Sequence, residues 1–276
     1  MSDGEHRPGR LAVIGWPVFH SRSPAMQNAA IAALGLSGFT YQHVPAPPEL
    51  FPEILTALPA AGFVGANVTV PHKHVALAMA ASVTPAARAI GAANSLSFDA
   101  AGAIAADNTD APGMIAAIGR DLAGESAMIL GAGGTARAAA WALREAGATV
   151  SIWNRTPERA RALAEDLDVE VVARPRPATI LVNTTTVGMD ERTSVQAALT
   201  SFAMDSDALS SYEQVVDFVY SAAPTALLTE GRRLGLATVD GLQILVAQGV
   251  LSFKQWTGRV APLEVMRRAA EGALDG

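Results

Sequence analysis

The chain has 276 residues, 50% hydrophobic and 17% charged, a length that suits two domains and a composition that excludes disorder. Its net charge of −6 weighs against a nucleic-acid partner and against an anionic membrane surface. With no cysteine, disulfides, thiol catalysis and thiolate metal sites fall away together, which suits a reducing cytoplasm.

The first residues are polar and include Asp3 and Glu5, and the apolar residues 11–14 are too few for a signal core or a membrane span. Residues 11–14 predict a short buried strand ending at Gly15. A helix follows over 23–34, with Pro24 where an early helical proline is tolerated. Then come a strand at 39–44, a helix at 47–58, a strand at 65–70 stopped by Pro71, and helices at 73–81 and 85–90. Residues 93–98 and 103–106 predict a strand pair around Ala101-Gly102, and a helix over 111–118 leads into a second run. That run has strands at 127–130, 149–153, 180–182 and 215–219, and the pattern is helical from 242 to the end. Residues 242–253 are interrupted by Gln243 and Gln248, so they predict no membrane span. Alternating strands and helices predict an α/β fold: an N-terminal region with a mostly parallel sheet, then a Rossmann unit.

The cofactor signal runs from about Ser126 to Arg159. A strand is followed at once by Gly131-Ala132-Gly133-Gly134-Thr135-Ala136 and an alanine-rich helix, which is G-x-G-x-x-A in the strand–turn–helix setting it requires. Gly131 allows the tight turn, Gly133 lets the backbone approach a pyrophosphate, and Ala136 keeps helix and strand close. The free N–H groups of the helix start then face the phosphates. The next strand ends in Asn154-Arg155-Thr156, with Arg159 a turn later, where an acidic residue would select NAD. Guanidinium groups there accept the 2′-phosphate of NADP, and positive charge at a helix N-terminus calls for an anion. Asn183-Thr184-Thr185-Thr186-Val187-Gly188-Met189 follows a strand at its carboxyl end, where a cofactor would lie; by itself it reads equally as a polar loop.

On the other half, Ser21 and Ser23 stand two apart and, in an extended segment, point the same way, so they could hold a small carboxylate. Ser23 by itself reads first as the cap of the Pro24 helix. In Asn67-Val-Thr-Val-Pro-His-Lys73, Asn67 and Thr69 share one strand face and Val68 and Val70 take the core face. Lys73 then sits at a strand-to-helix junction beside that polar face. His72 and His74 lack a third ligand in range, so no metal is expected. Asp110 closes Asp107-Asn-Thr-Asp110; it could cap the next helix, and it stands where the two regions meet and clefts form.

These pieces, in this order and over nearly the whole chain, resemble the shikimate dehydrogenase family. The markers are Ser21-Arg-Ser-Pro24, Asn67–Lys73, Gly91-Ala-Ala-Asn94, Asp107–Asp110, Gly131–Gly134, Asn154-Arg-Thr156, Val219-Tyr220 and Asp240-Gly-Leu-Gln-Ile-Leu-Val-Ala-Gln248. The resemblance implies reversible, NADPH-dependent reduction of 3-dehydroshikimate to shikimate, a step toward chorismate and the aromatic amino acids. It implies Lys73 and Asp110 as catalytic pair, and Ser21 and Ser23 on the substrate carboxylate with Tyr220 nearby. Asn67, Thr69, Asn94 and Gln248 would bind ring hydroxyls or the carboxylate. The cofactor set would be Gly131, Ala132, Gly133, Gly134, Thr135, Ala136, Asn154, Arg155, Thr156, Arg159, Thr185, Val219, Gly241 and Ile244, with Ile244 and Gln248 four apart on one helix face. The helical tail would return to the first domain, giving a discontinuous substrate domain (1–110 and 241–276) around an NADP domain (111–240). A cytoplasmic monomer or homodimer follows.

The chain departs from the family pattern in carrying Gln27 for a usual histidine, Ile244 for a frequent methionine, Ala111-Pro112 after Asp110, and Thr186 in the Asn183 loop. The nearest rival reading is a quinate or aminoshikimate dehydrogenase. Ser23, in place of a threonine, and the Arg155/Arg159 pair both favour shikimate and NADP. A non-catalytic NADP-binding regulator would have lost Lys73 or Asp110. A tetrahydrofolate dehydrogenase would not need Ser21, Ser23 or Asn94.

Overall fold

The structure, a computed structural model, describes residues 8–221 and 223–272. The acidic stretch with Asp3 and Glu5, and the outer ends of the expected substrate domain (1–7 and 273–276), lie outside the described residues. Contacts divide the chain into two units, one of residues up to Thr109 and from Val246 on, the other Asp110–Leu245.

In the first unit the elements run β1 (Arg10–Gly15), α1 (Ser23–Ala33), β2 (Thr40–Pro45), α2 (Phe51–Ala57), β3 (Phe63–Val68), α3 (Lys73–Ala78), β4 (Ser82–Val83), α4 (Pro85–Ile90), β5 (Ser95–Phe98) and β6 (Ile104–Asp107). Its sheet has the order β2-β1-β3-β5-β6-β4. The β1–β2, β1–β3 and β4–β6 pairs are parallel, and β5 runs antiparallel to both neighbours. The β5–β6 hairpin is closed by Asp99, whose Oδ1 accepts the N–H groups of Ala101 and Ala103. Leu11, Ala12, Val13 and Ile14 are all buried, as expected of a strand covered on both faces. Phe51, Leu55, Val68 and Leu96 complete the core on one face, each worth about 1.5–3 kcal/mol on full burial.

The second unit continues with α5 (Asp110–Ile118), β7 (Ser126–Leu130), α6 (Gly134–Glu145), β8 (Thr149–Trp153), α7 (Pro157–Leu167), β9 (Glu170–Val171), β10 (Ile180–Asn183), α8 (Val195–Ser201), α9 (Ser206–Leu209), β11 (Gln214–Asp217), α10 (Ala226–Arg233) and β12 (Ala237–Val239). Its sheet is wholly parallel with the order β12-β11-β10-β7-β8-β9. That is the doubly wound dinucleotide-binding order, and it reverses between β7 and β10, where ligands bind at the carboxyl ends. Helices α11 (Gly241–Thr257) and α12 (Leu263–Gly272) end the chain.

Three differences from the sequence expectations have physical causes. The second crossing between units falls inside α11 and not before it, because nothing in 241–257 breaks the helix. The later half of α11 packs on the first unit, where Trp256 donates Nε1–H to the Leu96 carbonyl at 2.9 Å. It sits so close that a Cβ on Gly65 would lie 2.2 Å from that nitrogen. Secondly, β3 stops at Val68, and Val70 is 60% exposed and takes no core face. Beyond Val68 the backbone leaves the ladder to bond the end of β1 and the residue after it, Thr69 N–H to the Ile14 carbonyl and Trp16 N–H to the Val70 carbonyl. Thirdly, β4, β9 and β12 have two or three residues each, too few for a hydrophobic period to register. No helix among the described residues is long and apolar enough to cross a membrane.

Candidate functional site

In the first unit a set of buried polar side chains gathers at the carboxyl ends of the central strands. Asn67, the fifth residue of β3, donates from Nδ2 to the Asn94 carbonyl (3.1 Å) and to Ser252 Oγ (2.9 Å), while its Oδ1 accepts the Tyr41 phenol proton (2.8 Å). Asn94, just before β5, accepts the Thr109 backbone N–H at 2.7 Å. The Thr109 hydroxyl lies 3.2 Å from Gln248 Oε1 and 3.1 Å from Ser252 Oγ. Gln248, Ser252 and Trp256 follow one another at intervals of four on α11, so one helix face delivers both polar groups and the indole that anchors them. Gln27, on α1, ties that helix to α11 by donating to the Gly249 carbonyl at 3.1 Å. Every group in this cluster is a neutral amide or hydroxyl. Such a lining suits a small polyol and rejects analogues that leave its members unpaired.

Ser21 and Ser23 do meet, with oxygens 3.2 Å apart, but by a turn and not by strand alternation. Arg22 between them has helical dihedrals and is itself the N-cap of α1, so Ser23 is the first helical residue and caps nothing. Ser21, just outside the helix, takes the first of its free N–H groups instead: Ser21 Oγ accepts the Ser23 N–H at 3.3 Å. The Asn28 side chain brackets Tyr41 on β2, donating to its carbonyl (2.8 Å) and accepting its N–H (2.9 Å). Thr69 is half-buried just past the end of β3 and not within it.

Lys73 opens α3, half-buried, and its carbonyl accepts the Ala93 N–H at 2.9 Å, which ties the start of the helix to the residue before Asn94. His72 stacks on Phe51 at 4.1 Å and its Nε2 lies 2.7 Å from the Ala46 carbonyl. A carbonyl only accepts, so Nε2 carries the proton, and burial holds this imidazole below its ordinary pKa, neutral. His74 is turned to the Gly91 carbonyl at 2.7 Å. Both histidines are structural, and among the described residues no group of three His, Asp or Glu side chains is placed to hold a metal ion. Asp110 is the first residue of α5, next in the chain to Thr109, whose backbone Asn94 holds.

In the second unit Gly131 has φ +111°, and a Cβ there would lie 2.5 Å from Thr184 Oγ1, so glycine is required by the protein itself. Gly133 differs: a Cβ on it would meet no atom within 4 Å among the described residues, so the protein itself does not demand glycine there. Gly133 is the N-cap of α6 and no side chain caps that helix, so a pyrophosphate can take its first N–H groups. Gly134 and Thr135 form the first turn, and Ala136 is fully buried against the sheet. Asn154 donates to the Thr156 carbonyl at 2.8 Å, shaping the turn into α7. Arg155 and Arg159 are exposed, and neither makes an ion pair or side-chain hydrogen bond among the described residues. These features fit a phosphorylated dinucleotide.

Behind the loops after β10 and β11 lies a buried carboxylate. Asp217 accepts from Asn183 Nδ2 (2.9 Å), the Val219 N–H (3.0 Å) and the Thr225 hydroxyl (2.7 Å). Burial pushes its pKa up to about 6 against the pull of those three donors. Asn183 Oδ1 accepts from Thr185 at both N (3.0 Å) and Oγ1 (2.8 Å), so Asp217 fixes Thr185 and Val219 together. Gly241 lies against the backbone of Phe218 and Val219, with no room for a Cβ. Tyr220 follows Val219, half-buried, and Ile244 lies on the part of α11 that belongs to this unit. Tyr41, Ser252 and Asp217 were not picked out by sequence, and Thr109 stood in the Asp107–Asp110 motif without a role of its own. Only Ser252 had a usable signal, its spacing of four from Gln248.

Comparison with known proteins gives consistent matches along the chain. Residues 13–96 match the shikimate dehydrogenase substrate binding domain, 114–181 the shikimate/quinate 5-dehydrogenase model, and 241–271 the shikimate 5′-dehydrogenase C-terminal domain. An NADP+ shikimate dehydrogenase of Thermus thermophilus is 42% identical over 96% of this chain and 98% of its own length. That of Symbiobacterium thermophilum is 39% identical over 98% and 96%. Among solved structures, shikimate 5-dehydrogenase from Thermus thermophilus in complex with NADP(H) and shikimate superposes with a TM-score of 0.84 at 40% identity, covering 96% of this chain and 99% of that one.

Proposed function

The chain belongs to the shikimate dehydrogenase family, and from that membership we propose how its residues do the family's work. It is an NADP-dependent oxidoreductase that reduces 3-dehydroshikimate to shikimate, reversibly, on the way to the aromatic amino acids. One observation carries this: the end-to-end match to NADP+ enzymes, 42% identical over 96% of the chain. Bound NADPH supplies the hydride.

Lys73 as the ammonium donates a proton to the forming alkoxide, and as the amine takes it back in reverse. Asp110 holds that lysine and bonds the neighbouring hydroxyl. The hydrogen bond from Thr109 to Asn94 supports this by fixing the residue that precedes Asp110. Ser21 and Ser23 take the substrate carboxylate, with Tyr220 nearby, and Asn67, Thr69, Asn94 and Gln248 take the ring oxygens.

Gly131 to Ala136 and the start of α6 take the pyrophosphate. Arg155 and Arg159, with Asn154 and Thr156, take the 2′-phosphate, and Thr185, Val219, Gly241 and Ile244 complete the cofactor site. All these residues come from one chain, so the chemistry is the same for a monomer or a homodimer. We place the enzyme in the cytoplasm, where a chain without cysteine needs no oxidative folding.

The test is absorbance at 340 nm with purified protein, crossing shikimate and quinate with NADP+ and NAD+. Activity mainly with shikimate and NADP+ is expected. Preference for quinate would move the assignment to a quinate-using relative. Binding of NADPH without turnover of either substrate would leave a cofactor-binding protein.

A further inference from the structure

Asp217, the last residue of β11, is fully buried, and the mechanism gives it no step. Its donors are all neutral and come from three places: Asn183 at the end of β10, Val219 just past β11, and Thr225, the N-cap of α10. A carboxylate buried among neutral partners is costly to stability, so its use lies in what it holds. It only accepts, so donors converging from several elements can share it without conflict.

What it holds continues outward. Asn183 Oδ1 takes both the N–H and the hydroxyl of Thr185, and Thr185 Oγ1 accepts the Val187 N–H at 3.1 Å. Thr184 donates from Oγ1 to the Leu130 carbonyl at 2.7 Å, which seats this loop beside the Gly131 turn. Sheet order says which part of the cofactor these loops meet. The pyrophosphate turn follows β7, and Arg155 and Arg159 follow β8 on one side of it, while β10 and β11 lie on the other. A dinucleotide with its pyrophosphate at β7 and its 2′-phosphate beyond β8 lays its nicotinamide half over β10 and β11.

We propose that Asp217 is a positioning residue for the nicotinamide half of the cofactor, acting through Asn183 on Thr185 and directly on Val219. This rests on the reading that Gly131–Ala136 and the two arginines bind NADP. Hydride transfer depends on where the nicotinamide ring stands, whereas the adenosine half is held at β7 and β8, so the two halves separate the effect.

The experiment measures kcat/KM for NADP+ and the inhibition constant of adenosine 2′,5′-bisphosphate, which has the adenosine half alone, competing with NADP+. In Asp217→Ala, kcat/KM should fall about tenfold to a hundredfold, as for a small misplacement of a reacting group, with the inhibition constant unchanged. Asp217→Asn, which can keep the three hydrogen bonds, should stay close to wild type. A merely structural loss would weaken NADP+ and the fragment together, and that would overturn the proposal, as would an undiminished kcat/KM or an Asn variant as poor as the Ala one. Asn183→Ala supplies a second test that does not depend on Asp217→Ala folding, and it should show the same split; a loss shared by both ligands, or no loss, overturns the proposal. If the fragment does not inhibit the wild type, the cofactor reading fails and the proposal with it.

Discussion

At the strand ends of the first unit, neutral amides and hydroxyls hold one another: Asn67 with Tyr41 and Ser252, Thr109 with Asn94 and Gln248. At those of the second unit, a buried carboxylate organises the loops from behind, while backbone N–H groups and two exposed guanidiniums, unpaired among the described residues, face outward. The first pattern discriminates among uncharged oxygens by leaving misfits unpaired. The second attracts phosphate charge and needs few side chains to hold shape. One chain thus uses hydrogen-bond satisfaction on one side and electrostatics on the other.

The contrast breaks hardest at Lys73, the cation proposed to act among the neutral groups. Lys73→Ala should lower kcat by roughly 10²–10⁴-fold, the usual worth of a general acid, while NADPH still binds by fluorescence titration. Retained turnover would remove Lys73 from the mechanism. The buried carboxylate of the second unit offers the next effect. Its folded pKa of about 6 lies above the ordinary 3.8, so its contribution to stability is complete below pH 4 and is lost as pH rises through 6. The loss is about 2–3 kcal/mol by the pKa-to-energy relation. Asp217→Asn keeps the shape and can keep all three hydrogen bonds, so its unfolding free energy should lack that fall between pH 4 and 6. Glu230, held near 2 by Arg233, acts with the opposite sign: its contribution is complete above its ordinary 4.5 and is lost as pH falls toward 2. An unchanged pH profile would mean Asp217 ionises normally.

Removing both Arg155 and Arg159 as alanines should raise the KM for NADP+ about tenfold to a hundredfold, as for a lost charged hydrogen-bond pair, and leave the KM for shikimate alone. An unchanged KM would sink the 2′-phosphate assignment. The smallest effect is expected from Thr109→Val, which deletes a hydroxyl facing Gln248 and Ser252 at constant shape. A loss of about 1–2 kcal/mol in unfolding free energy would match the loss of one neutral hydroxyl shared among Asn94, Gln248 and Ser252.

The same contrast decides what could be read from sequence. Gly131, Gly133, Ala136, Arg155 and Arg159 lie within about thirty residues, on successive elements of one motif, so local pattern is enough to single them out as candidates. Asn67 and Lys73 likewise stand in one short stretch. Tyr41 and Ser252 meet Asn67 from 26 and 185 residues away, and no window of sequence holds that triangle. Asp217 looked like one more strand residue until Asn183 and Thr225 closed on it. The Ser23 expectation failed for a nearer reason: the helix starts one residue earlier, at Ser23 itself, so Arg22 holds the cap position and Ser21 takes the first free N–H. The crossing inside α11 was hidden because a continuous helix carries no mark of changing units.

The bracket that Asn28 places on Tyr41 has a bearing beyond the substrate. β2 is the outermost strand of its sheet, and a strand in that place offers a row of unsatisfied backbone groups as a template for another chain. A residue's N–H and C=O point to the same side of a strand, and those of Tyr41 are both taken by one side-chain amide. Asn28 acts there as a surrogate neighbour one peptide long. The same contact that steadies the tyrosine also takes the outward backbone groups near the start of that edge, so one carboxamide both holds the residue that bonds Asn67 and blunts part of an exposed rim.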